Sequence, residues 1–336
     1  MWEVTFALPE QVARGAATAA AVSGMPSADG VTAVMALGMG GSGIGHDVLA
    51  AIAAPALGVP VIVGKDYELP AFVGPSTLVF ASSFSGNTEE TLGATTAALE
   101  RGARLVAVTG GGALATLAES AGAPVIRVPQ DIPHPRAAIG AMAAAPLIVL
   151  DRMGLLSGAA GWVDAAVTQL SRRRDQLAAA GDRSLSADIA RRIGRTIPLI
   201  YGGGLLGRAA ALRWKCQVNE NPKSPAFAAA SPELCHNELT GWGQMGDVTR
   251  QLITVVDLRH DFEHPQVARR FELVDQIMDE VVAEIVSVRA EGAGPLAQLF
   301  DLVLIGDVVA LELSAREGID PGPIPVLQDL KQALAR

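Results

Sequence analysis

Hydroxyl side chains and glycines are concentrated in two short loops, residues 38–43 and 82–89. Each loop follows a short apolar run and opens a helical stretch, so backbone N–H groups and the positive end of a helix dipole would face an anion. The hydroxyls add donors without charge. Such loops suit the phosphate of a small neutral molecule such as a sugar phosphate. We predict that the phosphate is bound by Gly41, Ser42, Ser83, Ser85 and Thr88.

The first loop also fits a different ligand. Gly38-x-Gly40-x-x-Gly43 matches the dinucleotide fingerprint, and Asp66 follows the next apolar strand, where a ribose-binding acid could lie. A dinucleotide domain, however, has no use for a second hydroxyl-rich loop after another strand of the same sheet. Two tight turns that need positive φ would explain the glycines but leave the hydroxyls without a role.

The loops need a sheet to hold them, and the hydrophobic pattern predicts one. Strands and helices alternate along the 336 residues, half of which are hydrophobic, as in parallel sheets covered by helices on both faces. We expect two related α/β subdomains, residues 1–155 and 156–336. The predicted strands are Ala33–Leu37, Val61–Val63, Leu78–Ala81, Leu105–Val108, Val125–Val128, Ile197–Tyr201, Leu252–Val256 and Glu284–Val288.

Composition is typical of a cytoplasmic enzyme. The net charge of -9 and the absence of a basic stretch argue against nucleic acid as a partner. Cys216 and Cys235 form no disulfide framework and suggest a reducing compartment. The N-terminus has no basic region of a signal peptide, and the longest apolar stretch, Ala137–Leu150, is too short to cross a bilayer. We read that stretch as a buried helix and expect no membrane partner.

Further motifs point to a known family. They are Gly40-Gly41-Ser42-Gly43, Ser83-x-Ser85-Gly86-Asn87-Thr88-Glu89, Pro135-Arg136, Asn219-Glu220-Asn221, His236-Asn237-Glu238 and, in the last helix, Lys331. In this order they resemble the bifunctional phosphoglucose/phosphomannose isomerases of the sugar isomerase (SIS) domain superfamily. The resemblance covers nearly the whole chain and implies two SIS-type subdomains of the flavodoxin-like, three-layer αβα kind.

The implied reaction interconverts glucose 6-phosphate, and mannose 6-phosphate, with fructose 6-phosphate. It needs an acid/base for ring opening, a base that moves a proton between C1 and C2, and a cation for the enediolate. By resemblance Glu220 is the C1/C2 base. It ends the helix that begins near Leu205, where a carboxylate is unfavourable by about 0.3–1 kcal/mol and so calls for a functional reason.

The resemblance assigns the other catalytic residues. His236, expected at the start of a short helix over Leu234–Leu239, would shuttle the ring-oxygen proton and reach the site from the neighbouring subunit of a homodimer. Arg136 follows two prolines that stiffen its approach, and its guanidinium would face the enediolate. Lys331 would be an ordinary exposed helix lysine, and only the resemblance makes it a candidate for ring opening.

No metal or organic cofactor is required for this chemistry, and none is predicted. His46 and Asp47 follow the first loop and either help to shape it or lie on a helix surface. Two alternatives stay open: a non-catalytic phosphosugar-binding SIS module, and a SIS isomerase for a different phosphosugar. Glu220, His236 and Arg136 favour catalysis, because a sensor needs no base.

One departure from the family concerns the C-terminal segment. Relatives often carry a threonine shortly before the last lysine, whereas residues 320–331 contain no hydroxyl side chain. We therefore expect glucose 6-phosphate to be the preferred aldose.

Overall fold

The computed structural model describes residues 1–334. Its helices are α1 (Trp2–Phe6), α2 (Leu8–Ala21), α3 (Gly40–Ala53), α4 (Glu89–Glu100), α5 (Gly112–Ser120), α6 (Ile139–Arg152), α7 (Ala159–Ala180), α8 (Leu185–Ile193), α9 (Gly204–Glu220), α10 (Gly246–Leu252), α11 (Pro265–Met278), α12 (Pro295–Arg316) and α13 (Pro325–Leu334). Its strands are β1 (Ala33–Leu37), β2 (Val61–Gly64), β3 (Thr77–Ser83), β4 (Arg104–Thr109), β5 (Val125–Arg127), β6 (Ile197–Gly203), β7 (Phe227–Ser231), β8 (Ile253–Arg259) and β9 (Glu284–Arg289). Short 3₁₀ helices span Pro135–Ala138, Gly181–Arg183, Glu233–His236 and Glu238–Gly241.

The chain folds into two compact units. We call Phe6–Arg173 together with Glu291–Asp301 the N-terminal unit, and Met1–Thr5, Arg174–Ala290 and the chain from Leu302 onward the C-terminal unit. The chain passes from one unit to the other within α7 and again within α12. The division into domains at residues 155 and 156 stays a prediction, and the last two residues of that second domain lie outside the described residues.

The N-terminal unit contains a parallel sheet in the order β2-β1-β3-β4-β5. Side chains on one face, including Met35, Val79 and Leu105, pack against α4 and α5. Residues of the other face, such as Val34 and Phe80, are fully buried as well. Burial on both faces explains why these strands read as continuous apolar runs without alternation.

The C-terminal unit contains a second parallel sheet, in the order β7-β6-β8-β9. Leu199, Tyr201 and Val255 pack with apolar side chains of α11. Between α9 and α12 the Trp214 indole lies against Gly306, where a Cβ would overlap the ring. Trp214 Nε1 donates to the Leu302 carbonyl at 2.7 Å, so the largest buried side chain of this unit has its polar atom satisfied.

Two parallel sheets flanked by helices confirm the predicted fold class. The predicted strands are all present, with ends that differ by a few residues. Within the apolar stretch Ala137–Leu150, the residues from Ile139 onward form the buried helix α6, as expected. Among residues 1–334, no helix is sufficiently long and apolar to cross a membrane.

Candidate active site

The first serine loop lies at the carboxyl end of β1. Helix α3 begins at Gly40, which has a φ of 51°, so the glycine takes a left-handed conformation at the entry to the helix. Gly41 lies against the backbone of the 3₁₀ helix that carries Arg136. A Cβ at Gly41 would come within 2.8 Å of the Pro135 carbonyl oxygen and 2.9 Å of Arg136 Cα. The missing side chain therefore brings the first loop and Arg136 together.

The second serine loop follows β3 and precedes α4. Ser83 Oγ and Thr88 Oγ1 share a hydrogen bond of 2.8 Å, and the Gly86 amide donates to Ser83 Oγ at 3.0 Å. The Asn87 amide donates to Ser85 Oγ at 3.2 Å. The side chains of Ser83 and Thr88 thus lie on the same side of the loop, just before the N-terminus of α4, where an anion would be stabilised.

Two side-chain contacts join the loops. The Phe84 amide donates to Ser42 Oγ at 3.2 Å, and Ser82 Oγ lies 2.8 Å from Nε2 of His46 on α3. His46 is fully buried, so the structure decides between the two readings of this residue in favour of a loop-shaping role. In the sequence, the only signal for this role of His46 was its position after a glycine loop.

The electrostatics of His46 fit a fixed, neutral group. Burial, together with the positive charge of Lys65, lowers the pKa of His46 from 6.5 to about 3. Lys65 in turn forms an ion pair with Asp47. Nδ1 of His46 has no hydrogen-bond partner among residues 1–334. Because an orphaned buried N–H is rarer than an orphaned acceptor, the proton is best placed on Nε2, which then donates to Ser82 Oγ.

Arg136 lies in the 3₁₀ helix Pro135–Ala138 and is 4% exposed. Pro135 at the start of this helix fixes the backbone next to the guanidinium-bearing residue. Gly41, Ser42, Ser83, Ser85, Thr88 and Arg136 all belong to the N-terminal unit. Arg136 supplies positive charge in an element that contacts a loop of otherwise neutral donors.

Glu220, His236 and Lys331 belong to the C-terminal unit. Glu220 is the last residue of α9 and is half-buried. The flanking Asn219 donates from its side-chain amide to the Ser224 carbonyl at 3.0 Å, and Asn221 is 1% exposed. The two asparagines therefore shape the turn after α9, so the carboxylate projects from an ordered helix end.

His236 is exposed and lies at the end of the 3₁₀ helix Glu233–His236. The prediction that it starts a short helix was wrong, because Asn237 interrupts the segment and caps the next turn through Oδ1, which accepts from the Glu238 amide at 2.6 Å. Glu238 is anchored in turn, since the buried Tyr201 hydroxyl donates to its Oε1 at 2.5 Å. Sequence reasoning missed Tyr201, which appeared only as a strand residue.

The Tyr201 hydroxyl stays protonated. Burial raises its pKa above the ordinary value, and the hydrogen bond to Glu238 adds to the effect. The hydroxyl that anchors Glu238 is therefore a neutral donor near pH 7. On the neighbouring strand, burial, together with the nearby Asp275 carboxyl, raises the pKa of Asp257 well above its ordinary value.

Lys331 lies in α13 and is exposed, as are Val326, Leu327 and Leu330 on the same helix.

A cavity of about 440 Å³ lies beside the 3₁₀ helix Glu233–His236. It is lined by residues of α9, of β7 and of the segment that contains this 3₁₀ helix, among them Arg208 and Glu233. Within residues 1–334, no group of three or more His, Cys, Asp or Glu side chains could hold a metal ion.

The two parallel sheets flanked by helices, with serine loops at helix N-termini, are typical of the SIS-domain class. A family model described as the bacterial phospho-glucose isomerase C-terminal SIS domain matches residues 183–334. A protein of Caldicellulosiruptor bescii named bifunctional phosphoglucose/phosphomannose isomerase is 34% identical over 337 residues, covering 100% of this chain and 99% of that protein. The chain belongs to the bifunctional phosphoglucose/phosphomannose isomerase family.

A second relative supports this assignment, and a solved structure supports the fold. A relative of the same name from Aquifex aeolicus is 32% identical over 300 residues, covering 89% of each chain. The solved C-terminal domain of glucosamine-fructose-6-phosphate aminotransferase from Francisella tularensis superimposes with a TM-score of 0.72 over 95% of this chain and 97% of that one. At 13% identity the second likeness supports the fold alone.

Proposed function

We propose that this protein is an aldose–ketose isomerase that interconverts glucose 6-phosphate, and mannose 6-phosphate, with fructose 6-phosphate through a cis-enediol(ate). The observation that carries the proposal is the pair of serine loops joined by Ser42 and His46. Two helix N-termini and several hydroxyls occur there, and such groups favour binding of a phosphate monoester. Membership of the family supplies the reaction class.

Phosphate binding is assigned to Gly41, Ser42, Ser83, Ser85 and Thr88. These groups are neutral, so they hold the phosphate through hydrogen bonds and helix dipoles. Because the phosphate does not change during isomerisation, they bind ground state and transition state alike, and their role is to lower KM.

Proton transfer is assigned to Glu220, which removes a proton from C1 or C2 and returns it to the other carbon. A carboxylate in this role typically contributes about 10²–10⁴-fold to the rate. Arg136 is the cation that stabilises the enediolate, and its burial supports a fixed guanidinium. His236 and Lys331 open the sugar ring by exchanging the proton of the ring oxygen.

We further infer that the protein is a cytoplasmic homodimer in which His236 acts on the substrate of the neighbouring subunit. The exposed position of His236 supports this arrangement, because an exposed imidazole is free to enter a partner. Glycolysis and gluconeogenesis are the routes in which this reaction would serve. No metal or organic cofactor takes part in the proposed steps.

A coupled assay of the purified protein with glucose 6-phosphate, mannose 6-phosphate and fructose 6-phosphate tests the proposal. We expect turnover of all three sugars without added metal, with glucose 6-phosphate preferred to mannose 6-phosphate in kcat/KM. Binding of fructose 6-phosphate without turnover would instead indicate a phosphosugar-binding module. Absence of both binding and turnover would leave a different phosphosugar as the substrate.

A further inference from the structure

Lys223 has an unusual backbone conformation. Its φ is 58°, and within residues 1–334 it is the single residue other than glycine with a positive φ. Lysine is strained in this left-handed region, whereas glycine adopts it freely. Strain of this kind persists only where surrounding contacts hold it, so the contacts of Lys223 must stabilise its backbone conformation.

The contacts of the ammonium group supply that explanation. Lys223 Nζ donates to the carbonyl oxygen of Glu220 at 2.7 Å and to that of Asn221 at 3.2 Å. It also lies 3.3 Å from the Asp320 carbonyl oxygen and 3.4 Å from that of Pro321. One cation therefore bonds the end of α9 and a segment 97 residues further along the chain.

The first pair of contacts caps a helix. The last carbonyls of a helix lack intrahelical partners and carry the negative end of the helix dipole, so an ammonium group there is favourable. The turn is also closed by the backbone, because the Ser224 amide donates to the Val218 carbonyl at 3.3 Å. A glycine at position 223 would close the same turn without strain but could not reach Asp320.

The second pair of contacts holds the approach to α13. Asp320 forms a tight turn in which its Oδ1 accepts from the Gly322 amide at 2.8 Å. This turn leads directly into the helix that carries Lys331. On its other side, α9 is fixed within the same unit, because Arg213 forms a bidentate ion pair with Asp307 of α12 at 2.8 and 2.6 Å.

We propose that Lys223 is a positioning residue that holds the Glu220 end of α9 and the segment leading to Lys331 in fixed relative positions. The assignment rests on the proposed function of Glu220 and Lys331. Lys223 acts through the backbone carbonyl groups of the two segments that carry Glu220 and Lys331. Small displacements of a catalytic group lower the rate steeply, so even an exposed tether of this kind affects turnover.

Three substitutions separate the roles of the side chain and the backbone. Lys223→Met removes the ammonium group, Lys223→Gly removes it while relieving the strained φ, and Lys223→Arg keeps a cation of similar reach. Lys215→Met, in α9, controls for the loss of a nearby lysine. We expect Lys223→Met and Lys223→Gly to lower kcat by about 10-fold or more, with the KM for fructose 6-phosphate little changed. Lys223→Arg should have a higher kcat than these two variants.

A second measurement does not depend on catalysis. Amide hydrogen exchange in peptides covering residues 319–324 should be faster in Lys223→Met and Lys223→Gly than in the wild type or in Lys215→Met. Faster exchange with unchanged kcat would show a tether without a catalytic role and overturn the proposal. If Lys223→Gly had the kcat and the amide exchange rates of the wild type, Lys223 would serve only to form the turn, and the proposal would be overturned. A wild-type protein without isomerase activity would refute the proposed function, while the exchange experiment still tests the tether.

Discussion

A titration of stability should reveal the buried imidazole that joins the serine loops. His46 is neutral in the folded protein because burial and the charge of Lys65 lower its pKa to about 3, against 6.5 for an unfolded histidine. Between these two values the unfolded chain binds a proton that the folded protein does not. Stability contributed by this difference is therefore complete above pH 6.5 and is lost as the pH falls toward 3.

The size of the effect follows from the two pKa values. At pH 5 an unfolded histidine is almost fully protonated, whereas His46 in the folded protein is still neutral. Since one pKa unit corresponds to about 1.4 kcal/mol, lowering the pH from 7.5 to 5 should remove about 2 kcal/mol of stability through this residue. At pH 3 the loss reaches about 4 kcal/mol.

The variant His46→Gln isolates this contribution. Glutamine does not titrate, and its amide can donate to Ser82 Oγ in place of Nε2. Urea unfolding of wild type and variant should be measured at several values between pH 7.5 and pH 5. We expect the difference between their unfolding free energies to change by about 2 kcal/mol over this interval, with wild type losing more.

A matched control is His264→Gln, because His264 is an exposed histidine in the C-terminal unit. It tests whether loss of any histidine produces the same change. Parallel curves for wild type and His46→Gln down to pH 5 would refute the reasoning, since His46 would then take up a proton in the folded state as readily as in the unfolded chain.

Four shorter predictions concern catalysis and the loops. Glu220→Gln should lower kcat by about 10²–10⁴-fold in the coupled assay while fructose 6-phosphate still binds by calorimetry; near-normal turnover would point to another base. Ser42→Ala combined with Ser85→Ala should raise KM and the inhibition constant of inorganic phosphate far more than it lowers kcat, and an unchanged KM would remove the phosphate assignment. Gly86→Ala should weaken phosphate binding more than the double serine variant does, because the Cβ overlaps the Gly111 carbonyl and φ is +73°; unaltered binding would mean that the loop has room to shift. Mixed dimers of Glu220→Gln and His236→Ala subunits should regain activity, and failure despite proven subunit exchange would place both residues in one chain.

Much of the fold could be predicted because parallel strands buried on both faces leave a strong signal. Ala33–Leu37 and Leu105–Val108 are short apolar runs bounded by turn residues, and both are strands. The exception is β7, Phe227–Ser231, which no prediction included. Its three central alanines have low strand propensity, and it pairs with β6 at one edge of the sheet, so its conformation depends on tertiary pairing and not on its own residues.

The candidate site also has a part that could be predicted from the sequence and a part that could not. The serine loops could be predicted because glycine and hydroxyl residues at a helix N-terminus have a local physical meaning that needs no distant partner. The groups that hold those loops and the ends of the helices carrying the candidate catalytic residues have no such local signal. His46 bonds Ser82, Tyr201 bonds Glu238, and Lys223 bonds Asp320, each across a long stretch of sequence. A histidine, a tyrosine or a lysine is chemically informative only once its partner is known. The serine loops can thus be predicted from the sequence, whereas the residues that hold them in position require the fold.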